Sequence, residues 1–394
     1  MGKTIIPVGP YHPLQEEPEF FTLTVEGEIV VDIDMRMGYN HRGIEKLSEQ
    51  KTFENSTFVV ERICGICSTS HPFAYTRAVE DIFPMEVSMR SKYIRTIVAE
   101  GERIHSHLLW LGLAGHFLGY NTVYMWAWKL REEILDVMEV LSGNRNAYAM
   151  FKPGGVRRDI KAEDIPICLK KIDSILPTLD MLKKAVLDDP VLHARLKGVG
   201  VMTKQEAIDF SALGPTSRAS GVARDVRKDS PYGAYQEMEW DMIVTENGDV
   251  FDKAVVRILE MFEAAKIMKY CLNNIPDGDI DAKIKDVPPG EGIGHIEAPR
   301  GETFHYVKSD GTNRPIRHKV RAPTFMNLPT YKATVKGQTI SDATIILAAI
   351  DPCYCCTERL AVKDVKGRML YNGNDLVQLS RAKTEKMKRR MGGR

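Results

Sequence analysis

The chain has 394 residues, of which 43% are hydrophobic and 27% are charged, a mixture typical of globular proteins that can bury a large core. Its 54 Lys and Arg nearly balance its 53 Asp and Glu, so no overall field attracts nucleic acid or an anionic membrane, and we expect no nucleic-acid partner. The N-terminus lacks the apolar run of a secretory signal, and no apolar stretch reaches the roughly 20 residues that a membrane span needs. We therefore expect a cytoplasmic chain that reaches a membrane only through partner subunits.

The N-terminal segment has the pattern of a β-hairpin. Apolar and polar residues alternate between residues 21 and 35, and Glu26-Gly27 supplies the turn. Loops rich in Gly, Pro and His lie on both sides, at residues 9–13 and 38–43. Because strands hold such loops in place, we expect site residues in them.

The middle of the chain is predicted to be mainly α-helical. Apolar residues recur at helical spacing from residue 87 to 142, with a break near Gly119, and again from residue 252 to 273. Thr203 and Glu206 have the spacing of a capping box, which predicts the start of a shorter helix. These segments are expected to form a core of long helices.

Short strands return towards the C-terminus, at residues 303–307 and 316–320, and a last helix is expected over residues 341–349. Pro352 disfavours helix at the residue before it and so ends this helix just before a group of cysteines. The basic tail, residues 383–394, is expected to be loose. The predicted fold class is therefore α+β and mainly α.

The seven cysteines fall into two tight groups and two isolated positions. An odd count in a chain without a secretory signal argues against a disulfide framework. Cys168 and Cys271 stand alone in apolar segments, where we expect buried, inert thiols. The other five lie in the segments 64–67 and 353–356, each of which contains a C-x-x-C pair. Two thiolates at that spacing can bind one ion, and thiolates select ions such as zinc, copper(I), iron or nickel.

The long separation of the two pairs favours a central cofactor. Structural zinc usually uses C-x-x-C pairs roughly 15–20 residues apart, whereas most of the chain separates these two, although spacing alone leaves zinc open. A thioredoxin-like redox pair needs a βαβ context, which neither pair has. His71 lies four residues after Cys67, so on a helix it would share that cysteine's face and could donate a hydrogen bond to a bridging thiolate.

The two cysteine segments resemble the signature motifs of [NiFe] hydrogenase large subunits. The matches occur in the family's order and at opposite ends of the chain, as Arg62-x-Cys64-Gly65-x-Cys67-x-x-x-His71 and Asp351-Pro352-Cys353-x-x-Cys356-x-x-Arg359. Further segments of the family's pattern are present at residues 9–13, 16–18, 38–46, 154–159, 214–216 and 297–301. Two of them, 9–13 and 38–46, also resemble the quinone-site subunit of respiratory complex I. This combination marks the energy-converting class of these hydrogenases.

The resemblance implies one large-subunit domain over residues 1–394, similar also to the complex I quinone-site subunit. It would consist of a β-hairpin with site loops (1–48), a core of bundled long helices (49–285), a mixed segment that ends in the second motif (286–359) and a tail (360–394). Both motifs would be buried near the face that meets the small subunit.

The resemblance also implies which residues hold the cofactor. Cys64 and Cys353 would be terminal ligands of nickel, while Cys67 and Cys356 would bridge nickel to an iron that also carries CO and two cyanides. The remaining residues of the two motifs that would help to bind this cofactor are Arg62, Asp351 and Pro352.

Two further roles follow from the same resemblance. Arg300 is similar to the arginine that stands over the metals, where a fixed cation polarises H₂ and donates hydrogen bonds. The proton-accepting carboxylate of the family lies in the Glu-Glu-Pro segment, so Glu17 is the candidate and Glu16 the alternative. The competing interpretations are an ordinary ion pair for Arg300 and a solvated turn for the two glutamates.

Two features depart from the family's pattern. Cys355 places a third cysteine in the second motif, where relatives commonly have serine, and it is either an alternative ligand or an inert neighbour. Many relatives lose everything after the last motif once nickel is bound, whereas residues 360–394 follow Arg359 here. We expect this tail either to pack against the metal-bearing end or to be removed on maturation. A retained tail would favour a site that lacks nickel or carries out different chemistry.

The function implied by the resemblance is the reversible reduction of protons to H₂. Electrons would come from a ferredoxin through a small iron–sulfur subunit, and antiporter-like and quinone-channel-like membrane subunits would couple the reaction to ion translocation. The chain would be a peripheral subunit at the cytoplasmic face of the cell membrane. Two alternatives stay open: a complex-I-like subunit that reduces a sulfane or quinone without a working Ni–Fe centre, and a scaffold subunit whose cysteines hold zinc.

Overall fold

The structure, a computed structural model, describes residues 2–83, 85–284, 286–358 and 360–392. In chain order its strands are β1 (Lys3–Val8), β2 (Phe20–Glu26), β3 (Ile29–Arg36), β4 (Phe151–Lys152), β5 (Gly155–Val156), β6 (Gly290–Ala298), β7 (Gly301–Ser309), β8 (Pro315–Arg321), β9 (Val362–Lys363) and β10 (Met369–Tyr371). These strands pair in antiparallel sheets with the orders β1-β2-β3, β4-β5, β6-β7-β8 and β9-β10.

Helices make up most of the remaining regular structure, so the fold is α+β and mainly α, as predicted. They are α1 (Ile44–Ser48), α2 (Phe53–Glu61), α3 (Ser70–Glu80), α4 (Met89–Phe117), α5 (Asn121–Ser142), α6 (Asp164–Asp188), α7 (Pro190–Leu196), α8 (Lys204–Asp209), α9 (Pro215–Arg218), α10 (Val226–Asp229), α11 (Val250–Asn273), α12 (Pro323–Asn327), α13 (Tyr331–Thr334), α14 (Ile340–Ala349) and α15 (Gly373–Arg390). Short 3₁₀ turns lie at Leu328–Thr330 and Tyr354–Cys356.

The predicted hairpin is β2 and β3. The apolar residues that alternate along β2, Phe21, Leu23 and Val25, are all buried, which explains the period of two. Strand β1 was not predicted, because Pro7 interrupts its apolar run. It lies at the edge of the sheet, where a proline within a strand is tolerated.

The helical core is built around α4, which packs against α5 and α11. Helix α4 begins at Ser88, whose hydroxyl accepts a hydrogen bond from the Ser91 amide, and the predicted break appears as the short connection between α4 and α5. Its buried residues lie on every side, so α4 is enclosed by protein along most of its length. The capping box at Thr203 and Glu206 is also confirmed, at the start of α8.

None of the helices in the described parts of the chain is long and apolar enough to cross a membrane.

The second three-stranded sheet lies directly against α3. A Cβ atom at Gly292 or Gly294 of β6 would overlap the backbone of α3 at Ala78 or Ala74, so only glycine permits this close approach. The contact matters for the site, because α3 follows the first cysteine pair and β7 lies beside β6.

The expectation of a last helix over residues 341–349 and a loose tail was partly wrong. Helix α14 occupies the expected position, but the tail continues through the β9–β10 hairpin into α15, which includes most of residues 383–394. The start of α15 is fixed by a capping box between Asn372 and Asp375. This local signal was missed because the tail was interpreted from its basic composition. The last two residues lie outside the described residues.

Gly294→Ala should destabilise the protein, because the new methyl group meets the Ala74 carbonyl rather than a flexible side chain. Overpacking of this kind costs about 1–3 kcal/mol, and a backbone obstacle places this case at the upper end or beyond. Denaturant unfolding of the purified protein measures the effect. Gly373→Ala is the control, because no atom lies within 4 Å of its Cβ position, and it should unfold like the wild type. Equal stability of the two variants would contradict the close contact between α3 and β6.

Candidate metal centre

The first cysteine pair lies in the turn between α2 and α3. The Cys64 sulfur accepts hydrogen bonds from the amides of Ile66 at 3.3 Å and Cys67 at 3.2 Å, so the chain wraps tightly around that sulfur. The turn is held from the other side by Glu102 of α4, whose carboxylate accepts from the amides of Thr69 and Ser70 at the start of α3. A carboxylate at a helix N-terminus satisfies amides that have no partner within the helix.

The second pair follows α14. Asp351 adopts a left-handed backbone conformation with φ of 56°, which reverses the chain immediately after the helix. The Cys353 amide then donates to the Thr324 hydroxyl at 3.2 Å, and the Cys356 amide donates to the Cys353 carbonyl, also at 3.2 Å. These bonds place both thiols on the same side of a short 3₁₀ turn.

The thiols of the two segments meet in one cluster. The Cys353 sulfur lies 3.2 Å from that of Cys64, 2.6 Å from that of Cys356 and 3.5 Å from that of Cys355. These four sulfurs all lie within 4.8 Å of one another, and all the cysteines are free thiols. Cys67 adjoins them and interacts with Cys353, Cys356 and Cys64. The ligands predicted from the two ends of the chain are therefore brought together, and Cys355 joins them.

The thiols of the cluster differ in pKa. Hydrogen bonds from the neighbouring thiols, Cys353 first, hold the pKa of Cys64 well below its ordinary value. Burial raises the pKa of Cys356 well above the usual range. One sulfur of the cluster thus accepts hydrogen bonds from several neighbouring thiols.

Arg300 lies against this cluster and is 1% exposed. Its guanidinium donates to the Asp351 carbonyl at 2.7 Å, to the Asp351 carboxylate at 2.6 Å, to the Ser106 hydroxyl at 3.1 Å and to the Cys67 sulfur at 3.4 Å. Burial alone would lower the pKa of Arg300, but Asp351 and the Cys67 and Cys353 thiols raise it well above its ordinary value. A fixed cation therefore faces the sulfur atoms, which excludes the interpretation of a surface ion pair.

The two glutamates of the Glu-Glu-Pro segment also reach the site. The Glu17 carboxylate accepts a hydrogen bond at 2.7 Å from the Cys355 amide, between the two ligands of the second motif. Burial, and next the negative charge of Cys64, raise the pKa of Glu17. Burial and Asp351 raise the pKa of Glu16 to about 8. By surface area Glu16 is exposed and Glu17 is half-buried, so this segment lies at the solvent-facing edge of the site.

His71 contacts a cysteine of the other motif. Its Nε2 lies 3.4 Å from the Cys356 sulfur, and its Nδ1 lies 3.1 Å from Nε2 of His305. The expectation that His71 shares a helical face with Cys67 was wrong, because α3 begins only at Ser70, after that cysteine. His71 nevertheless contacts Cys356, the cysteine that the family resemblance expects to bridge the two metals.

The other motif residues have less direct positions. The half-exposed Arg62 side chain donates to the Glu61 carboxylate and to the Phe58 carbonyl, so these hydrogen bonds do not join it to the thiols. Pro352 lines a small cavity together with Trp110 and Tyr354. Arg359 lies outside the described residues.

Arg42 connects the two cysteine segments, and its role was not predicted. It donates to the Arg62 carbonyl at 2.7 Å, to the Ile63 carbonyl at 2.6 Å and to the Cys355 carbonyl at 3.4 Å. The signal was its position in the loop 38–43, where site residues were expected without a specific assignment. His305 and His318, which are buried behind His71, were also missed.

A cavity of about 640 Å³ leads to the thiol cluster. Its walls include Arg42, Cys355 and Cys356, together with Leu360 and residues of α15 such as Leu376. Residues of the tail thus line the cavity at the metal-bearing end. Removal of the tail on maturation stays a prediction.

Two family models match the chain. The model for the 49 kDa subunit of respiratory-chain NADH dehydrogenase matches residues 118–287 and 282–359, and the model for nickel-dependent hydrogenase matches residues 42–113. The chain is 40% identical to the membrane-bound hydrogenase subunit alpha of Pyrococcus furiosus, over 97% of this chain and 93% of that protein. It is 37% identical to the carbon monoxide-induced hydrogenase of Rhodospirillum rubrum, over 91% of this chain and 100% of that protein.

The chain belongs to the family of complex-I-related [NiFe] hydrogenase large subunits. A chain in the solved structure of the membrane-bound sulfane sulfur reductase, an archaeal respiratory membrane complex, is also similar. It has a TM-score of 0.86 and 30% identity, and the match covers 91% of this chain and 98% of that chain. Members of similar fold therefore carry out different reactions.

The donor set of this family member fits a nickel–iron centre. Thiolates are soft ligands that suit nickel and iron, and the cluster is buried. The Arg300 cation compensates part of the negative charge that several thiolates bring into the interior.

We expect Cys67→Ser to lose nickel and iron, and Cys355→Ser to retain both. Cys67 is buried, accepts from Arg300 and has the spacing of the family's motif, whereas Cys355 is partly exposed towards the cavity. A hydroxyl does not deprotonate readily and cannot replace a thiolate ligand. Elemental analysis of the purified variants measures the effect. Metal loss in Cys355→Ser with retention in Cys67→Ser would make Cys355 the ligand instead.

Proposed function

We propose that this chain is the catalytic large subunit of an energy-converting [NiFe] hydrogenase that reversibly reduces protons to H₂. The observation that carries the proposal is the meeting of thiols from both motifs in one buried cluster beside the Arg300 guanidinium. The relatives named as membrane-bound and carbon monoxide-induced hydrogenases support the same reaction class.

In this proposal Cys64 and Cys353 would hold nickel, and Cys67 and Cys356 would contribute ligands to both nickel and iron. When bound, the centre, whose iron carries CO and two cyanides, would supply the redox chemistry that interconverts H₂ with protons and electrons. Arg300 would present a positive charge and hydrogen-bond donors at a fixed position, because the Asp351 carbonyl and carboxylate both hold its guanidinium.

Protons would enter and leave through Glu17. Its carboxylate touches the backbone between Cys353 and Cys356, so it lies within the reach that a general acid–base group needs. Its raised pKa brings it nearer to neutral pH, where such a group works best. Glu16 is the neighbouring carboxyl group, whose pKa is also raised, and it would be the alternative acceptor.

Electrons would have to reach the site through a partner. Among the described residues, the thiol cluster is the only group of three or more His, Cys, Asp or Glu side chains arranged to hold a metal. Cys168 and Cys271 are buried in α6 and α11 and have raised pKa values, as expected of inert thiols. We infer a small iron–sulfur subunit that receives electrons from a ferredoxin, at the cytoplasmic face of a membrane complex whose antiporter-like and quinone-channel-like subunits translocate ions.

A second function is supported by two observations. The cavity of about 640 Å³ that reaches Cys355 and Cys356 is large enough for a substrate bigger than H₂, and a similar solved chain belongs to a sulfane sulfur reductase. A sulfane or a quinone would then be reduced in this cavity without a working Ni–Fe centre.

Metal content together with gas assays separates the two functions. The hydrogenase proposal predicts nickel and iron in equal amounts in the purified complex, and H₂ production that is abolished in Cys64→Ser or Cys356→Ser. Iron without nickel, or no metal, combined with reduction of polysulfide would favour the second function. Zinc alone in a fully active preparation would contradict both and leave a structural site.

Glu17→Gln should reduce H₂ production while leaving metal content and folding intact. Glutamine keeps the size and the hydrogen bond to the Cys355 amide, but it cannot accept and release a proton. Loss of a general acid–base group typically costs roughly 10²–10⁴ in rate. Proton–deuterium exchange and H₂ production measure the effect, with nickel and iron content checked in each sample. Glu16→Gln is the matched control, and a larger loss in that variant would transfer the role to Glu16.

A further inference from the structure

Behind the thiol cluster lies a chain of three histidines that ends at a serine. His71 contacts the Cys356 sulfur through Nε2, and its Nδ1 lies 3.1 Å from Nε2 of His305. Nδ1 of His305 lies 2.9 Å from Nε2 of His318, and Nδ1 of His318 lies 2.6 Å from the Ser48 hydroxyl. The chain therefore crosses from α3 through β7 and β8 to the end of α1.

This chain is sealed from water. His305, His318 and Ser48 are each 0% exposed, and His71 is 1% exposed. Burial lowers the pKa of His318 to about 4, and burial with the neighbouring histidines lowers that of His305 further. Because burial disfavours the charged imidazolium, each of these buried rings is neutral and carries its proton on only one of its two nitrogens.

Neutral rings in series permit only two arrangements of protons. A hydrogen bond between two ring nitrogens needs a proton on one of them and none on the other. If the Nδ1 of His318 donates to Ser48, then His305 and His71 must also carry their protons on Nδ1, and the Nε2 of His71 is a bare acceptor. If Ser48 donates to His318, every ring carries its proton on Nε2, and His71 becomes a donor towards Cys356.

The two ends of the chain select between these arrangements. The Ser48 hydroxyl lies 2.8 Å from the carbonyl of Glu45, to which it can donate only when His318 donates to it. At the other end, a thiol at Cys356 can donate to His71, whereas a metal-bound thiolate carries no proton and can only accept.

We propose that Ser48, His318 and His305 are positioning residues of the metal centre, which set the ring nitrogen of His71 that carries the proton. The inference rests on the proposed role of Cys356 as a metal ligand. Metal binding reverses the direction of every hydrogen bond in the chain, and the Ser48 hydroxyl turns from the Glu45 carbonyl to His318. His71 then donates to the bridging sulfur and withdraws electron density from it. Partners of this kind orient a metal's ligands and tune their basicity.

Ser48→Ala tests the role, since it removes the hydroxyl that supplies the last donor of the chain. In the metal-loaded complex, infrared bands of iron-bound CO and cyanide should move to lower frequency. Without the hydrogen bond from Ser48 the Nε2–H forms of the rings are less stabilised, so His71 donates less to the sulfur and iron becomes richer in electrons. Nickel and iron content should be retained, and H₂ turnover should fall by roughly 10-fold, the lower end of the usual effect of such partners.

Ser56→Ala is the matched control. Ser56 is also 0% exposed, but its hydroxyl donates to the backbone carbonyl of Ser48 and lies outside the histidine chain. Its bands and turnover should equal those of the wild type. Unchanged bands in Ser48→Ala, or an equal shift in Ser56→Ala, would overturn the proposal.

A second measurement reads the protons directly and does not depend on a variant that folds. Nuclear magnetic resonance of the wild-type protein labelled with ¹⁵N-histidine distinguishes the Nδ1–H from the Nε2–H form of each neutral ring. Metal loading should convert three rings from the first form to the second, and unchanged forms would overturn the inference. Because zinc-bound thiolates should cause the same conversion, this result is separable from the hydrogenase proposal, which fails if nickel or the CO and cyanide bands are missing.

Discussion

The thiols of Cys64 and Cys353 lie 3.2 Å apart although 289 residues separate them along the chain. Closing so long a loop has a large entropic cost, and the contact persists only if the elements on both sides are held independently. The turn between α2 and α3 and the reversal after α14 provide these two supports. Arg42 and Arg300 then join them, the first through backbone carbonyls and the second through Cys67 and Asp351.

The helical core also contains buried charged side chains. Buried ions are tolerated only when opposite charges and hydrogen bonds compensate them. Helix α4 carries several such ions on its enclosed surface, and their partners come from the segment that contains α9 and α10, from α11 and from β6. The buried side chains of this network are Glu100, Arg103, His107, Arg218, Asp225, Arg227, Glu260 and Glu297. The backbone carbonyls of Glu297 and Ala298 accept from Arg103, so the network also fixes the strand that leads to Arg300.

Local patterns in the sequence predicted the elements that depend on local signals. The β2–β3 hairpin has alternating apolar residues, the α4–α5 break has Gly119, and α8 has its capping box. Strand β6 was missed because glycines occupy alternate positions along it, a composition more typical of a loop. Gly292 and Gly294 are required by the backbone of α3, which lies far away in the sequence, so no local window contains the reason.

The residues of the site divide in the same way, into those with a recognisable sequence signal and those without one. Cys64 and Cys353, which lie in the two motifs, and Arg300, which lies in a further matching segment, were predicted from the family resemblance. Arg42, His305 and His318 contact partners that lie far away in the sequence, and an isolated residue has no periodic pattern by which to predict it. One signal was available for His305, which shares the inward-facing positions of β7 with the buried Thr303 and Val307. A polar ring on the buried face of a strand indicates a partner, but only the fold identifies it.

The most direct test of this account is X-ray absorption at the nickel edge of the purified complex. If thiolates from both ends of the chain form the centre, the atoms bound to nickel are sulfur, and Cys353→Ser removes the nickel signal. A nickel environment dominated by nitrogen or oxygen, or the absence of nickel from an enzyme that produces H₂, would contradict the account.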